Sequence, residues 1–186
     1  MAPRPERLAA TEEMRMFEAV DAAFPDVHAE MIDGEVCIET VATSAHGEMV
    51  IFMGTQLSTK WCAMTKVDTV HPGWRGRTCL RPDLSVADPS YRGSRLQKFP
   101  ADELLLACEV VSESNPENDT RRKDTKYAQA GTPYYLIVNP IDGECLLYSL
   151  PDDGRYRAKV ESKFGDPVPI GAPLDVELDT SALYTY

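Results

Sequence analysis

The sequence predicts an α/β domain in which helices flank a central sheet. Segments with helical spacing of apolar residues alternate with short extended runs along the chain. One of those runs, LLLACEVV at 104–111, is apolar enough to be buried on both faces, which suits a central strand of a covered sheet. The 186 residues contain no internal repeat, low-complexity tract or linker. One domain spanning 1–186 is therefore expected, against a usual size of about 100–150 residues.

Each element follows from local patterning. Residues from about 8 to 23 predict a helix, with Leu8, Met14, Phe17 and Val20 at roughly helical spacing before Phe24 and Pro25 stop the run. In EMIDGEVCIETV, which begins at Glu30, Asp33 and Gly34 form a turn signal between two short extended pieces. Ser44 is placed to cap a helix running to about Trp61, with Met49, Val50, Met53, Leu57 and Trp61 as its buried stripe. The stretch from Val67 to Arg81, with Pro72, Gly73 and several bases, reads as a loop or hairpin. Strands follow near 83–87 and 104–111, separated by a polar connection from Pro89 to Pro100 that carries Arg92, Arg95 and Lys98. A helix from about Asp119 to Ala130 is closed by Gly131, with Pro133 just beyond. Tyr134 to Val138 and Cys145 to Leu150 are strands joined through Asp142 and Gly143, a strong hairpin signal. Another strand is expected at 155–161, and the last twenty residues, rich in Pro and Asp, should wrap the body.

Bulk properties narrow the function classes. No apolar run approaches the roughly 18 residues of a membrane span. The stretch MAPRPERLAATEEM lacks the apolar segment of a signal peptide, so a cytoplasmic location is expected. Cysteines at 37, 62, 79, 108 and 145 form no CxxC pair and are odd in number, which favours reduced thiols over disulfides or structural zinc. The net charge of −11 argues against a polyanionic partner, but its distribution weakens that objection. Residues 1–50 carry 11 acids and 3 bases, residues 139–186 carry 9 acids and 4 bases, and residues 51–138 carry 12 bases and 10 acids. The middle of the chain, where the candidate chemistry lies, is the part that permits nucleic acid.

That chemistry starts from two acids set in apolar strands. Asp83 sits beside Leu84 and Val86, and Glu109 lies between Leu106 and Val110. A carboxylate in a central strand is costly unless it is paired or bound to a metal. Asp83, following Pro82, has an ordinary alternative as a strand-start or turn residue. Glu109 has one as half of a buried ion pair with an arginine. On the following helix, Lys123 shares one stripe with Tyr127 and Ala130, which should pack on the sheet. Arg121, Arg122 and Lys126 are better placed toward solvent or another partner. Lys123 either snorkels or is drawn inward by the carboxylates, and Asp119 either caps the helix or pairs with Lys123. Hard divalent cations such as magnesium take oxygen ligands and keep several waters, so two or three carboxylates suffice. Acids on neighbouring strands with a nearby lysine suit metal-assisted phosphodiester hydrolysis.

Several segments also resemble a known family. Pro82-Asp83, Glu109 to Ser112, the Asp119, Lys123 and Tyr127 helix, and GTPYYLIVNP at 131–140 are similar to the putative restriction endonuclease family of bacterial proteins within the PD-(D/E)XK nuclease superfamily. So are MIDGE at 31–35, preceded by Glu30, and SAHG at 44–47 before a helix. The resemblance runs from about residue 12 to 183. It implies a restriction-endonuclease-like core, a mixed β-sheet flanked by helices. It also implies metal ligation by Asp83, Glu109 and the Val110 carbonyl, with Glu30 an additional acid and Lys123 the motif lysine. The chain departs from the superfamily pattern at Val111, where lysine is expected two residues after Glu109, and from the family at Leu136, where Trp is common. The expected activity is a magnesium- or manganese-dependent endonuclease acting on DNA, working as a homodimer. The rival expectation is a non-catalytic binding or assembly module on the same fold, which the acidic ends of the chain favour.

Other chemistries have less support. His28, His46 and His71 belong to no HExxH, and no GxSxG or Walker sequence is present. Two glutamates would serve a glycosidase but leave Lys123 without a role. His46 reads as a helix-start residue near the cleft. Trp74, beside Arg75 and Arg77, either stacks on a base or packs on its own domain.

Overall fold

The fold is that of a computed structural model, which describes residues 11–24, 28–39, 43–112 and 122–186. Leu8, Pro25 and Asp119, to which the sequence assigns helix-boundary roles, lie outside the described residues, as does Arg121.

The described elements are α1 (Glu12–Ala23), β1 (His28–Ile32), β2 (Glu35–Glu39), α2 (Ser44–Ser58), β3 (Cys62–Met64), β4 (Asp68–Val70), β5 (Leu84–Ala87), β6 (Lys98–Pro100), β7 (Leu104–Val110), α3 (Lys123–Ala130), β8 (Tyr134–Asn139), β9 (Glu144–Asp152), β10 (Arg155–Lys163), β11 (Val168–Ile170) and β12 (Val176–Leu178). The main sheet is mixed, ordered β10-β9-β8-β7-β5-β3. Only β7 and β8 are parallel within it, and α3 is the crossover that joins them. The apolar run of β7 makes it central, between β5 and β8, with Leu84 opposite Cys108 and Val110 opposite Val138.

Both faces of this sheet are covered, so β7 carries apolar side chains on each. One face packs Leu106, Cys108 and Val110 against Met49, Val50, Met53 and Leu57 of α2, and against Leu174, Leu178 and Leu183 of the C-terminal segment. The opposite face packs Ala107 and Val111 against Tyr127 and Ala130 of α3. Alternation along β7 therefore directs Glu109, set between Ala107 and Val111, to the α3 side. A register shift between Val86 and Ala87 absorbs the extra residue Leu105 earlier in the strand.

Smaller pieces serve as supports. β1 and β2 form a separate hairpin turned at Asp33 and Gly34, both with positive φ (54° and 89°), as the Asp-Gly pair predicts. α1 packs Met14 and Phe17 on Ala29 and Met31 of that hairpin. At the other end of the chain, β11 and β12 pair as a hairpin whose Val168, Ile170 and Leu178 join the core, so the last twenty residues do wrap the body.

Several boundaries differ from expectation for identifiable reasons. Thr43, not Ser44, caps α2, because its extended backbone lets the side chain accept the His46 amide at 3.2 Å. α2 ends at Ser58, and Trp61 packs on the core from beyond the helix. α1 begins at Glu12 because Thr11 is its cap. The stretch 67–81 is more than a loop: β4 pairs in parallel with β6, a strand hidden inside the polar connection 89–100. Trp74 is buried in the core, so it packs on its own domain and is not a base-stacking platform.

Candidate active site

Glu30 comes from β1, and the segment before β5 fixes it. Met31 and Cys79 exchange two backbone hydrogen bonds, of 2.9 and 2.8 Å, which seat residues 79–81 against the hairpin. The Arg81 amide then donates to Glu30 Oε1 at 2.5 Å. Arg81 is itself anchored by its guanidinium, which reaches Asp68 at 2.6 Å and Asp21 at 3.1 Å. The other oxygen, Glu30 Oε2, lies 2.6 Å from Lys123 Nζ.

Lys123 opens α3 on the stripe that faces the sheet. Its ammonium also donates to Glu109 Oε1 at 3.1 Å, so one cation is shared by two carboxylates. All three side chains are closed to solvent: Lys123 and Glu30 are 1% exposed and Glu109 is 4%. Buried charges persist only when paired, and here the pairing joins three elements. Among the described residues Glu109 is thus paired with a lysine. Burial and the charges of Glu109 and Glu30 push the neighbouring Tyr127 phenol well above its usual range.

Asp83 precedes β5. The β5 register sets Leu84 level with Cys108, so Asp83 stands just beyond that pair. Its Oδ2 accepts the Val110 amide at 2.9 Å, which ties the carboxylate to the peptide that follows Glu109. Its Oδ1 lies 2.5 Å from Lys66 Nζ and 3.1 Å from His46 Nε2. The imidazole approach is poorly aligned for a hydrogen bond, and His46 Nδ1 has no partner among the described residues. Burial raises the Asp83 carboxyl, but His46 and Lys66 together outweigh it and hold the group well below the usual carboxylate range.

The structure therefore brings Glu30, Glu109 and Lys123 into one cluster, with Asp83 and Val110 at its border. Asp119 is outside the described residues. Of the other bases, Lys126 pairs with Asp33 at 2.5 Å, and Arg122 pairs with Glu35 at 2.8 Å while donating to the Ile32 carbonyl. Both grip the β1–β2 hairpin. Arg92 donates to the carbonyls of Ser58, Thr59 and Trp61, where it closes the end of α2. Sequence reasoning missed Lys66. Its side chain enters from the turn after β3, with φ of 55°, and nothing in the linear pattern links it to Asp83.

The donors at this end of the sheet are hard carboxylate oxygens, held anionic at Asp83, with a cation already resting on Asp83 Oδ1. That chemistry fits a magnesium-like ion. Among the described residues no three or more His, Cys, Asp and Glu side chains are grouped to hold a metal ion.

No helix among the described residues is long and apolar enough to cross a membrane. Among curated proteins none matches the chain. A solved structure described as a putative nuclease belonging to DUF820, from Anabaena variabilis, is 16% identical. It superposes with a TM-score of 0.64 over 84% of this chain and 89% of its own, so this chain has the same fold. Residues 14–181 match the family Uma2, described as putative restriction endonuclease. With that match covering nearly the whole chain, and the fold agreeing, the protein belongs to the Uma2 family.

Proposed function

We propose that this chain is a divalent-metal-dependent endonuclease that hydrolyses phosphodiester bonds in DNA. The observation that carries the reading is the buried Lys123 ammonium, held between Glu30 and Glu109 beside the Asp83–Val110 contact. A buried lysine locked on two acids at a sheet end, in a nuclease-family chain, suits phosphoryl chemistry better than structural support alone. Asp83, Glu109 and the Val110 carbonyl would hold magnesium or manganese. Such an ion, when bound, polarises the scissile phosphate and lowers the pKa of a water.

The chain's own residues supply the rest. Lys123 offers ammonium protons beside Glu109, where they can orient an attacking water or neutralise charge developing on the phosphate. Glu30 fixes where that ammonium points, and the Arg81 amide fixes Glu30. Cutting both strands of a duplex takes two such sites, which supports a homodimer. A cytoplasmic protein would meet such a substrate directly.

A specific observation favours the rival reading, a nuclease-fold module that binds without cutting. Each site acid already has a lysine on it, Lys123 for Glu30 and Glu109 and Lys66 for Asp83. Nicking of supercoiled plasmid separates the two. The wild type should nick with magnesium or manganese and stop with chelator, and a folded Asp83→Asn protein should be inactive. A folded wild type that binds DNA but never nicks it would establish the module.

A further inference from the structure

The two lysines of the site are held in different ways. Lys123 is 1% exposed and touches two acids that are themselves buried, so its ammonium is held inside the fold by two contacts. Lys66 pairs with an Asp83 carboxylate that is only 5% exposed, yet its own side chain is 42% exposed. It projects from the turn between β3 and β4 and touches the acid with its tip alone. Asp83 cannot follow it outward, because Oδ2 is fastened to the Val110 amide. The oxygen that remains for an external cation is Oδ1, the one on which Lys66 and His46 converge.

We propose that Lys66 is a displaceable cation on the metal position of Asp83. Its ammonium neutralises the carboxylate while the site is empty and swings to solvent when a divalent ion takes Oδ1. Lys66 would thus set the metal affinity of the site without belonging to the liganded set. The proposal rests on the metal-site reading given above. The physical basis is competition: an ammonium and a divalent ion on one oxygen repel each other, so the metal's gain is reduced by the contact it weakens. A lysine whose side chain is already 42% exposed loses less on leaving, whereas Lys123 would abandon two buried acids.

The test is binding rather than turnover. Manganese affinity would be measured by calorimetry on the wild type, Lys66→Met, Lys66→Gln and Asp83→Asn, each checked by circular dichroism. The melting temperature of each would be followed across a manganese titration. Lys66→Met should bind manganese several-fold more tightly than the wild type. It should melt lower than the wild type without metal and gain more on adding it, since the ion then restores the missing positive charge. Binding by Lys66→Met but not by the wild type would be the extreme form of the same result. Equal or weaker binding by a folded Lys66→Met, with Asp83-dependent binding by the wild type, would overturn the role of Lys66 and leave the metal site standing. No binding by any of the folded proteins would overturn both. Lys66→Gln takes the place of Lys66→Met should the latter not fold.

Discussion

At the scale of single residues, the consequential one is Lys123. Its ammonium is shared by the buried Glu30 and Glu109, so a neutral replacement takes the positive charge from two buried carboxylates. Removing one partner of a buried pair typically costs about 3–5 kcal/mol. Lys123→Met should therefore lower unfolding stability in urea by that order, and adding Glu30→Gln should recover part of the loss because the two changes share one contact. A Lys123→Met protein as stable as the wild type would mean the ammonium is not held as described. An inactive Lys123→Ala variant says nothing of mechanism until its folding is checked. Glu109 and Lys123 stood out in the sequence because a charge inside an apolar stripe must be explained. Lys66 did not, because its approach depends on a left-handed turn with no Gly or Asn to mark it.

At the scale of elements, the β1–β2 hairpin is what delivers Glu30, and its turn is tight. Gly34 has φ of +89°, and a Cβ there would come 3.0 Å from the Arg77 guanidinium, which donates to the Asp33 carbonyl at 3.0 Å. Gly34→Ala should cost about 1–2 kcal/mol from the left-handed backbone, plus the displacement of Arg77. Gly165, at φ of +96° with nothing within 4 Å, provides the comparison, since alanine there adds strain alone. Urea unfolding of the two variants should show Gly34→Ala the more damaging, and equal losses would mean Arg77 yields freely. This turn was legible in Asp33-Gly34, as were β7, β8, the β8–β9 turn and the Gly131 stop of α3, each marked by a strong apolar run or a special turn residue. β3, β4 and β6 were not. Each is three residues long and held by long-range pairing, which local patterning does not encode.

At the scale of the whole molecule, the thiols report on how tightly the fold is closed. Cys108 and Cys145 lie in the core between the sheet and α2, and Cys79 is buried under the hairpin. Burial pushes the Cys145 thiol up to about 12 and also raises those of Cys79 and Cys108 well above the usual thiol range. Thiolate is the reactive form, so these three should resist iodoacetamide at pH 8 until the protein opens globally. Cys37, half-buried on the outer hairpin, should label first. Peptide mapping of partly labelled protein checks the order. Early modification of Cys108 would show that the α2 face opens below the global unfolding free energy. The α/β class and covered sheet were readable from alternating segments. That α2 and the C-terminal hairpin share one face was not, since it depends on which apolar stripes meet in space.

The site draws its parts from β1, α2, the turn after β3, the residue before β5, β7 and α3. No contiguous stretch of chain holds more than a fraction of it. The geometry exists only once the hairpin, the sheet and the crossover helix have all docked. On the proposed function this has a meaning for the cell that makes the protein: a chain still emerging from the ribosome, or a proteolytic fragment of one, is harmless to the chromosome beside it.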